Sequence, residues 1–382
     1  MRIIFSDNMK KKYPYLFNKK KREIARKYTR SKIIAGVFNG FFVPALFFLY
    51  LLSSGGSTQI FEITKGLGML AIPAYAAIFM ILLSLIQIPL KFYYSFIYEH
   101  KHELSNQSVY GWSKDYGKSK ILSFLFFIPT VTIVYYLMTF PNWWIVAGIY
   151  YLIIMAVMDY LSPVVILPFF YKLKPYTDTL HKKKILNICK RLGAGDIKNV
   201  LIANESEKSV KANALFTGFG KTKRIVLFDT LLNTFTKAEI ETVIGHEVGH
   251  YVNKDILKGF ILETLLIFPI LYLVDVSLNM FSSGYAIQPY MIMSLPLFMV
   301  TYMSIDFILM PFLNAYSRHV EAKADLFALE HIKKPKAQIS TEKRLADNSL
   351  QDENPPKWME LLVFDHPTVS SRIKMAKEWK RK

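Results

Sequence analysis

The chain has 382 residues, of which 52% are hydrophobic and only 20% charged, with a formal net charge of +19. Its single cysteine, Cys189, excludes an intrachain disulfide and a Cys-rich metal site, so any bound metal must be held by histidine and carboxylate. The excess positive charge flanks apolar runs, where it meets anionic lipid headgroups. No nucleic-acid-binding module is visible, and no nucleic-acid partner is expected.

Residues 1–32 carry twelve Lys and Arg against two acids, Asp7 and Glu23. Apolar runs of about 20 residues follow, the length needed to cross a hydrocarbon core of roughly 30 Å. Runs at 33–52, 68–90, 121–140 and 143–161 predict four membrane spans. The first run begins late and lacks a small-residue cleavage pattern, so it reads as a retained span. A polar stretch, 171–255, comes next. Within it, 177–192 predicts an amphipathic helix stopped by Gly193 and Gly195, and 200–203, 212–217 and 224–228 alternate as short strands. The last two strands are joined by the turn GFGKTK. Runs at 256–280 and 290–312 predict two further spans, and 314–382 reads as helical with a loop around ENPPKW.

The expected architecture is therefore mainly α. About six transmembrane helices carry a cytoplasmic-side, zincin-like protease part with a small β-sheet. The chain divides into a basic segment (1–32), four spans (33–170), a protease part with the hairpin (171–255), two spans (256–313) and a C-terminal helical part (314–382). Lysine and arginine set the sidedness. The predicted outside loops, 53–67, 141–142 and 281–289, contain one cation, Lys65. Both termini and both polar stretches are thus expected in the cytoplasm.

The stretch ETVIGHEVGH, 241–250, carries the chemistry. Thr236 and Glu239 form the ends of a capping box, so a helix is expected to run into the motif. On it His246 and His250 lie one turn apart, about 6 Å along the axis, and both imidazoles can reach one ion. Glu247 projects beside them, placed to take a proton from the attacking water without being a ligand. Gly245 and Gly249 each cost about 1 kcal/mol in a helix interior, which points to close packing or a ligand there. Zinc held by three protein ligands is expected, one ion per chain. Position 256 is Ile256, so a third histidine six residues beyond His250 is absent. The remaining candidates are Glu263, His319, Glu321, Glu330, His331 and His366. Glu263 is expected on the same helix as His250, about 20 Å away and out of reach. Glu321 stands in SRHVEAKADLFAL with Asp325 one turn on, suited to a pair in which one carboxylate binds metal and the other orients a ligand histidine.

These motifs together resemble the CAAX prenyl protease type 1 family of integral-membrane zinc metalloproteases. YSFIYEHKHELSNQ, LPFFYKLKP, NALFTGFGKTKRIVLFDTLL, GHEVGH, SRHVEAKADLFA and DHPTVSSRI occur in the family's order, over roughly residues 33–380. The resemblance implies Glu321 as third ligand, His366 as donor to the oxyanion, and Asn213 as a peptide contact. Asn213, Ala214 and Leu215 read as an edge strand on which a peptide substrate adds as a further strand. The resemblance also implies a water-filled chamber, which agrees with the carboxylates Glu263, Asp275 and Asp306 inside the spans. Eukaryotic members have seven spans where six are read here, and the lysine-rich chain is expected to be a prokaryotic member in the plasma membrane.

The expected function is a zinc metalloendopeptidase at the cytoplasmic membrane face. It would act on a peptide or protein, lipidated or membrane-associated. A heat-shock-type quality-control protease shares the chemistry but has fewer spans. A transporter would use the intramembrane aspartates without needing the motif, and a non-catalytic scaffold would not need Glu247.

Overall fold

The structure, a computed structural model, describes residues 13–218 and 222–379. The turn residues Phe219, Gly220 and Lys221, the basic residues of 1–12 and Lys380, Arg381 and Lys382 lie outside the described residues. Four long helices come first: α1 (Lys19–Ser53), α2 (Gly56–Lys101), α3 (Val109–Leu137) and α4 (Trp143–Phe170). Strand β1 (Leu173–Pro175), helix α5 (Thr179–Arg191), strands β2 (Asn199–Ala203), β3 (Ala214–Thr217) and β4 (Arg224–Phe228), and helices α6 (Asp229–Thr234) and α7 (Lys237–Val252) follow. Helices α8 (Asp255–Phe281) and α9 (Leu295–Ile332) complete a set of six, among the described residues, that are long and apolar enough to cross a membrane. Three short helices close the chain: α10 (Pro335–Ser349), α11 (Lys357–Val363) and α12 (Val369–Glu378).

Each apolar run read from the sequence lies mainly in one of the six long helices, with 138–140 running past the end of α3 and 290–294 preceding α9. Large apolar side chains such as Leu85, Ile149, Ile153, Leu265 and Phe312 are exposed on them, as a lipid-facing surface requires. Inside the bundle Phe48, Tyr75, Phe79, Leu278 and Leu295 form a core. A second core fills the polar half: Ile185, Ile225, Leu227, Leu231, Phe235 and Ile244 pack the sheet against α5, α6 and α7.

Three local readings need correction. The outside loop expected at 53–67 contains a helix (Gly56–Thr64), and the chain bends at Gly68, whose φ of 57° suits a residue without Cβ. His250 and Glu263 do not share a helix, because Lys254 at φ 56° ends α7 before α8 begins. Lastly, α9 does not stop where its apolar run does. It continues as one helix of 38 residues to Ile332 and carries SRHVEAKADLFAL directly off the sixth span. Helix geometry has no reason to break at the membrane surface, whereas hydropathy changes there.

The sheet has the order β1-β2-β4-β3, with β2 parallel to β4 and the other pairs antiparallel. Strand β3 is an edge, as expected, and β1 is a strand the sequence reading missed because three residues show no alternation. Of the carboxylates inside the spans, Asp275 accepts from Trp143 Nε1 at 2.7 Å and the Tyr290 hydroxyl at 3.0 Å. Glu263 and Asp306 are exposed.

Candidate metal centre

The capping box that starts α7 is present. Thr236 Oγ1 accepts from the Glu239 N–H, and the Glu239 carboxylate accepts from the Thr236 N–H at 2.7 Å. The same carboxylate is fully buried and accepts from Ser340 Oγ at 2.6 Å and Arg344 Nε at 3.2 Å. A helix cap therefore also anchors α10 against α7.

Helix α7 lies against α9 through its two glycines. A Cβ on Gly245 would stand 2.5 Å from Ile332 Cγ1, and one on Gly249 would stand 3.1 Å from Ala324 Cα. Larger residues would push the helices apart, so the glycines set how near Glu321 on α9 comes to His246 and His250. One ligand atom from each of these three residues lies within 4.8 Å of the others, and the group could hold a metal ion.

The hydrogen bonds around the cluster decide what it can hold. His246 Nδ1 lies 2.9 Å from Asp325 Oδ1, and His250 Nδ1 lies 2.9 Å from Asp255 Oδ2. A carboxylate only accepts, so each imidazole places its proton on Nδ1 and leaves a lone pair on Nε2. Those two Nε2 atoms face each other at 3.1 Å. Glu321 adds its oxygens at 3.2 Å from His246 Nε2 and 3.4 Å from His250 Nε2, and its buried Oε2 makes no aligned hydrogen bond. Three converging acceptors with no donor between them fit a cation. Two neutral nitrogens and one carboxylate are a donor set that zinc accepts.

Glu247 is next in the sequence to a ligand, and the Phe216 N–H of β3 favours its charged form. Burial raises its pKa above the ordinary glutamate range, against the pull of the two histidines. That combination suits a group that gains and loses a proton. His366 stands on the open side, half-exposed, with Nε2 3.4 Å from Glu321 Oε1 and Nδ1 2.8 Å from Asp365.

The other sequence candidates separate from the cluster. Glu330 and His319 are exposed on α9, and His331 bonds the Phe327 carbonyl at 2.9 Å. Asn213 and Ala214 line a cavity of about 260 Å³ that opens on His246 and Glu247. Leu215 does not. It packs with Ala203, Val226 and Phe228 on the other side of the sheet. Phe228 N–H bonds the Asn213 carbonyl, so by the alternation of an antiparallel ladder Leu215 pairs with Val226, and Ala214 and Phe216 present the open edge.

Two residues around the metal group were given no role in the sequence reading. Arg372, in the DHPTVSSRI stretch, donates to both oxygens of Asp325 at 2.6 Å. Asp255, which orients His250, follows it by five residues. Its proximity in sequence was the available signal; Arg372 offered none beyond its membership of a quoted motif.

Two family models match the chain, one over each half. Residues 178–380 match peptidase family M48, and residues 7–172 match the CAAX prenyl protease N-terminal region, described as five membrane helices. Within that second stretch the described residues hold four. An "Uncharacterized metalloprotease YhfN" of Bacillus subtilis is 29% identical over 88% of this chain and 81% of its own. A "CAAX prenyl protease 1 homolog" of Oryza sativa is 29% identical over 78% of this chain and 72% of its own. The crystal structure of S. mikatae Ste24p shares the fold, with a TM-score of 0.82 at 23% identity over 94% of this chain and 88% of that one. With more than half its length matched by the peptidase profile and six helices among the described residues long and apolar enough to cross a membrane, the chain belongs to the membrane-embedded metalloproteases of peptidase family M48.

Proposed function

We propose that the protein is a zinc-dependent endopeptidase whose site opens on the cytoplasmic face of the membrane. The observation that carries the reading is the pair of Nε2 lone pairs 3.1 Å apart, with both Nδ1 protons committed to carboxylates and Glu321 closing the third side. His246, His250 and Glu321 would hold the ion. Zinc supplies a Lewis acid that polarises water and the scissile carbonyl. Glu247 takes the proton of the attacking water and later delivers it to the leaving amine, work worth about 10²–10⁴-fold. His366, half-exposed beside Glu321, is placed to donate to the oxyanion as charge develops there. A peptide segment lies along the open edge at Ala214 and Phe216, with Asn213 lining the cavity beside it, and backbone pairing there supplies affinity with little demand on sequence. Exposed Glu263 and Asp306 support a water-filled approach from the bundle, and the substrate is a lipidated or membrane-associated peptide or protein.

Two experiments test this. Purified chain is expected to contain one zinc and to cleave a fluorogenic peptide, and Glu247→Gln should keep the zinc while losing hydrolysis. Wild-type turnover in that zinc-replete variant would remove Glu247 from its role. For sidedness, a cysteine at exposed Ser283 should react with an impermeant thiol reagent on intact cells, and one at exposed Ser206 should not. The reverse pattern would turn the site to the other face.

A further inference from the structure

The cavity beside Glu247 extends past the metal group along one face of α10, where Gln338, Thr341, Glu342 and Leu345 recur at helical spacing. Catalysis as described uses none of them. Gln338 is 97% buried, and its amide nitrogen donates to the Asp325 carbonyl at 3.3 Å. A main-chain carbonyl can only accept, so the amide orientation is fixed and Oε1 is the free end. Among the described residues that buried oxygen has no hydrogen-bond partner. An acceptor left this way costs roughly 1–3 kcal/mol, and a donor that reaches it recovers the cost.

Charge in the same wall points the same way. Asp325 and Glu342 are two buried carboxylates that share one guanidinium: Arg372 bonds both Asp325 oxygens and lies 2.7 Å from Glu342 Oε2. Two negative charges and one positive leave the trio with an excess of acceptor. Burial pushes the Glu342 carboxyl up to about 7 against the pull of Arg372, and a cationic donor beside it would favour its charged form. A donor-bearing group entering here meets acceptors, whereas an aliphatic group leaves them unpaired and an acidic group adds repulsion.

Resting on the protease reading, the geometry points to a side-chain subsite: the cavity receives the substrate residue next to the scissile bond, and Gln338 and Glu342 select a side chain that carries a hydrogen-bond donor. Lysine and glutamine fit the class. Methionine, of similar length, and glutamate do not. A site that recognises a donor discriminates by rejecting what leaves its own polar groups unpaired, so the effect belongs in substrate ranking more than in maximal rate.

The test uses the full chain in detergent with bound zinc. Quenched fluorogenic peptides of one sequence carry Gln, Lys, Met or Glu at each of the two residues flanking the cleaved bond. At one of these positions Gln and Lys are expected to exceed Met and Glu about tenfold or more in kcat/KM, the value of one or two hydrogen bonds to a buried acceptor. Gln338→Met should flatten that ranking, and Gln338→Glu should lift Lys above Gln. A flat ranking in the wild type at both positions, or an undiminished Gln preference in Gln338→Met that still binds zinc, overturns the subsite. Binding of the same peptides to Glu247→Gln, read by fluorescence anisotropy, keeps the two readings apart. A Gln-over-Met preference in binding with no cleavage of any peptide by the zinc-loaded wild type would sink the protease reading and leave the subsite standing. No preference in binding alongside ready cleavage would do the opposite.

Discussion

The two histidines of the metal group are held by unlike walls. His246 is backed by Asp325, 79 residues away in the chain and 1% exposed, itself pinned by two bonds from Arg372 on α12. His250 is backed by Asp255, five residues on, at the first turn of the fifth span, with Lys258 a looser 3.6 Å from its carboxylate. Both carboxylates perform the same task of keeping a proton on Nδ1 and a lone pair on Nε2. They differ in how firmly they do it. A buried carboxylate held by a guanidinium is shielded from water and salt and has one available position, whereas one at a helix start near water can be replaced by solvent at lower cost. The metal group is thus rigid toward the C-terminal helices and more yielding toward the membrane.

The largest effect should come from the ligand both walls share. Glu321→Ala is expected to lose bound zinc, while Glu330→Ala, exposed nine residues on along the same helix, keeps it. Equal zinc contents by elemental analysis would mean that the third ligand is misassigned. The two walls are then compared directly through their carboxylates. Asp325→Asn should weaken zinc affinity by about 10–100-fold, the usual cost of losing the partner that orients a ligand histidine. Asp255→Asn should fall at or below the lower end of that range, about tenfold or less, because water can take its place. Competition with a chelator measures both, and a larger loss from Asp255→Asn would invert the comparison. Smallest of all should be Ala214→Pro, which removes an N–H from the open strand edge and touches no ligand. A few-fold rise in KM with zinc retained is expected. An unchanged KM in the folded, metallated variant would place the peptide elsewhere.

How far these features were legible differs residue by residue. The pair His246 and His250, with Glu247 between them, follows from the 3.6-residue period alone, since all three sit on one helix whose start is marked by Thr236 and Glu239. Close packing or a ligand at Gly245 and Gly249 was also readable, because two helix-interior glycines make no sense on a free surface, but that α9 is the neighbour was not. Asp325 was reachable once Glu321 was suspected, being one turn further along. Arg372 and Glu342 were not. Nothing in their neighbourhoods distinguishes them from the many other charged residues of a solvated helix, and only the packing of α10 and α12 against α9 brings them to Asp325. Leu215 was assigned to the peptide-binding edge because alternation gives a period and not a phase. The pairing of Asn213 with Phe228 fixes that phase and turns Leu215 inward to the neighbouring strand.

The sequence by itself determined the six spans, the helix that carries the two histidines, and the chemistry available to them. Each of these depends on contacts within a few turns of one segment or on the solvent that segment must meet. Tertiary structure decided which carboxylate closes the metal group, which partners hold the histidine protons, and which acceptors are left open beside Glu247. Those depend on distances between α7, α9, α10 and α12, the first and last of them more than a hundred residues apart in the chain. Long-range distances are set by how whole surfaces pack, and here a glycine face on α7 against α9 sets them.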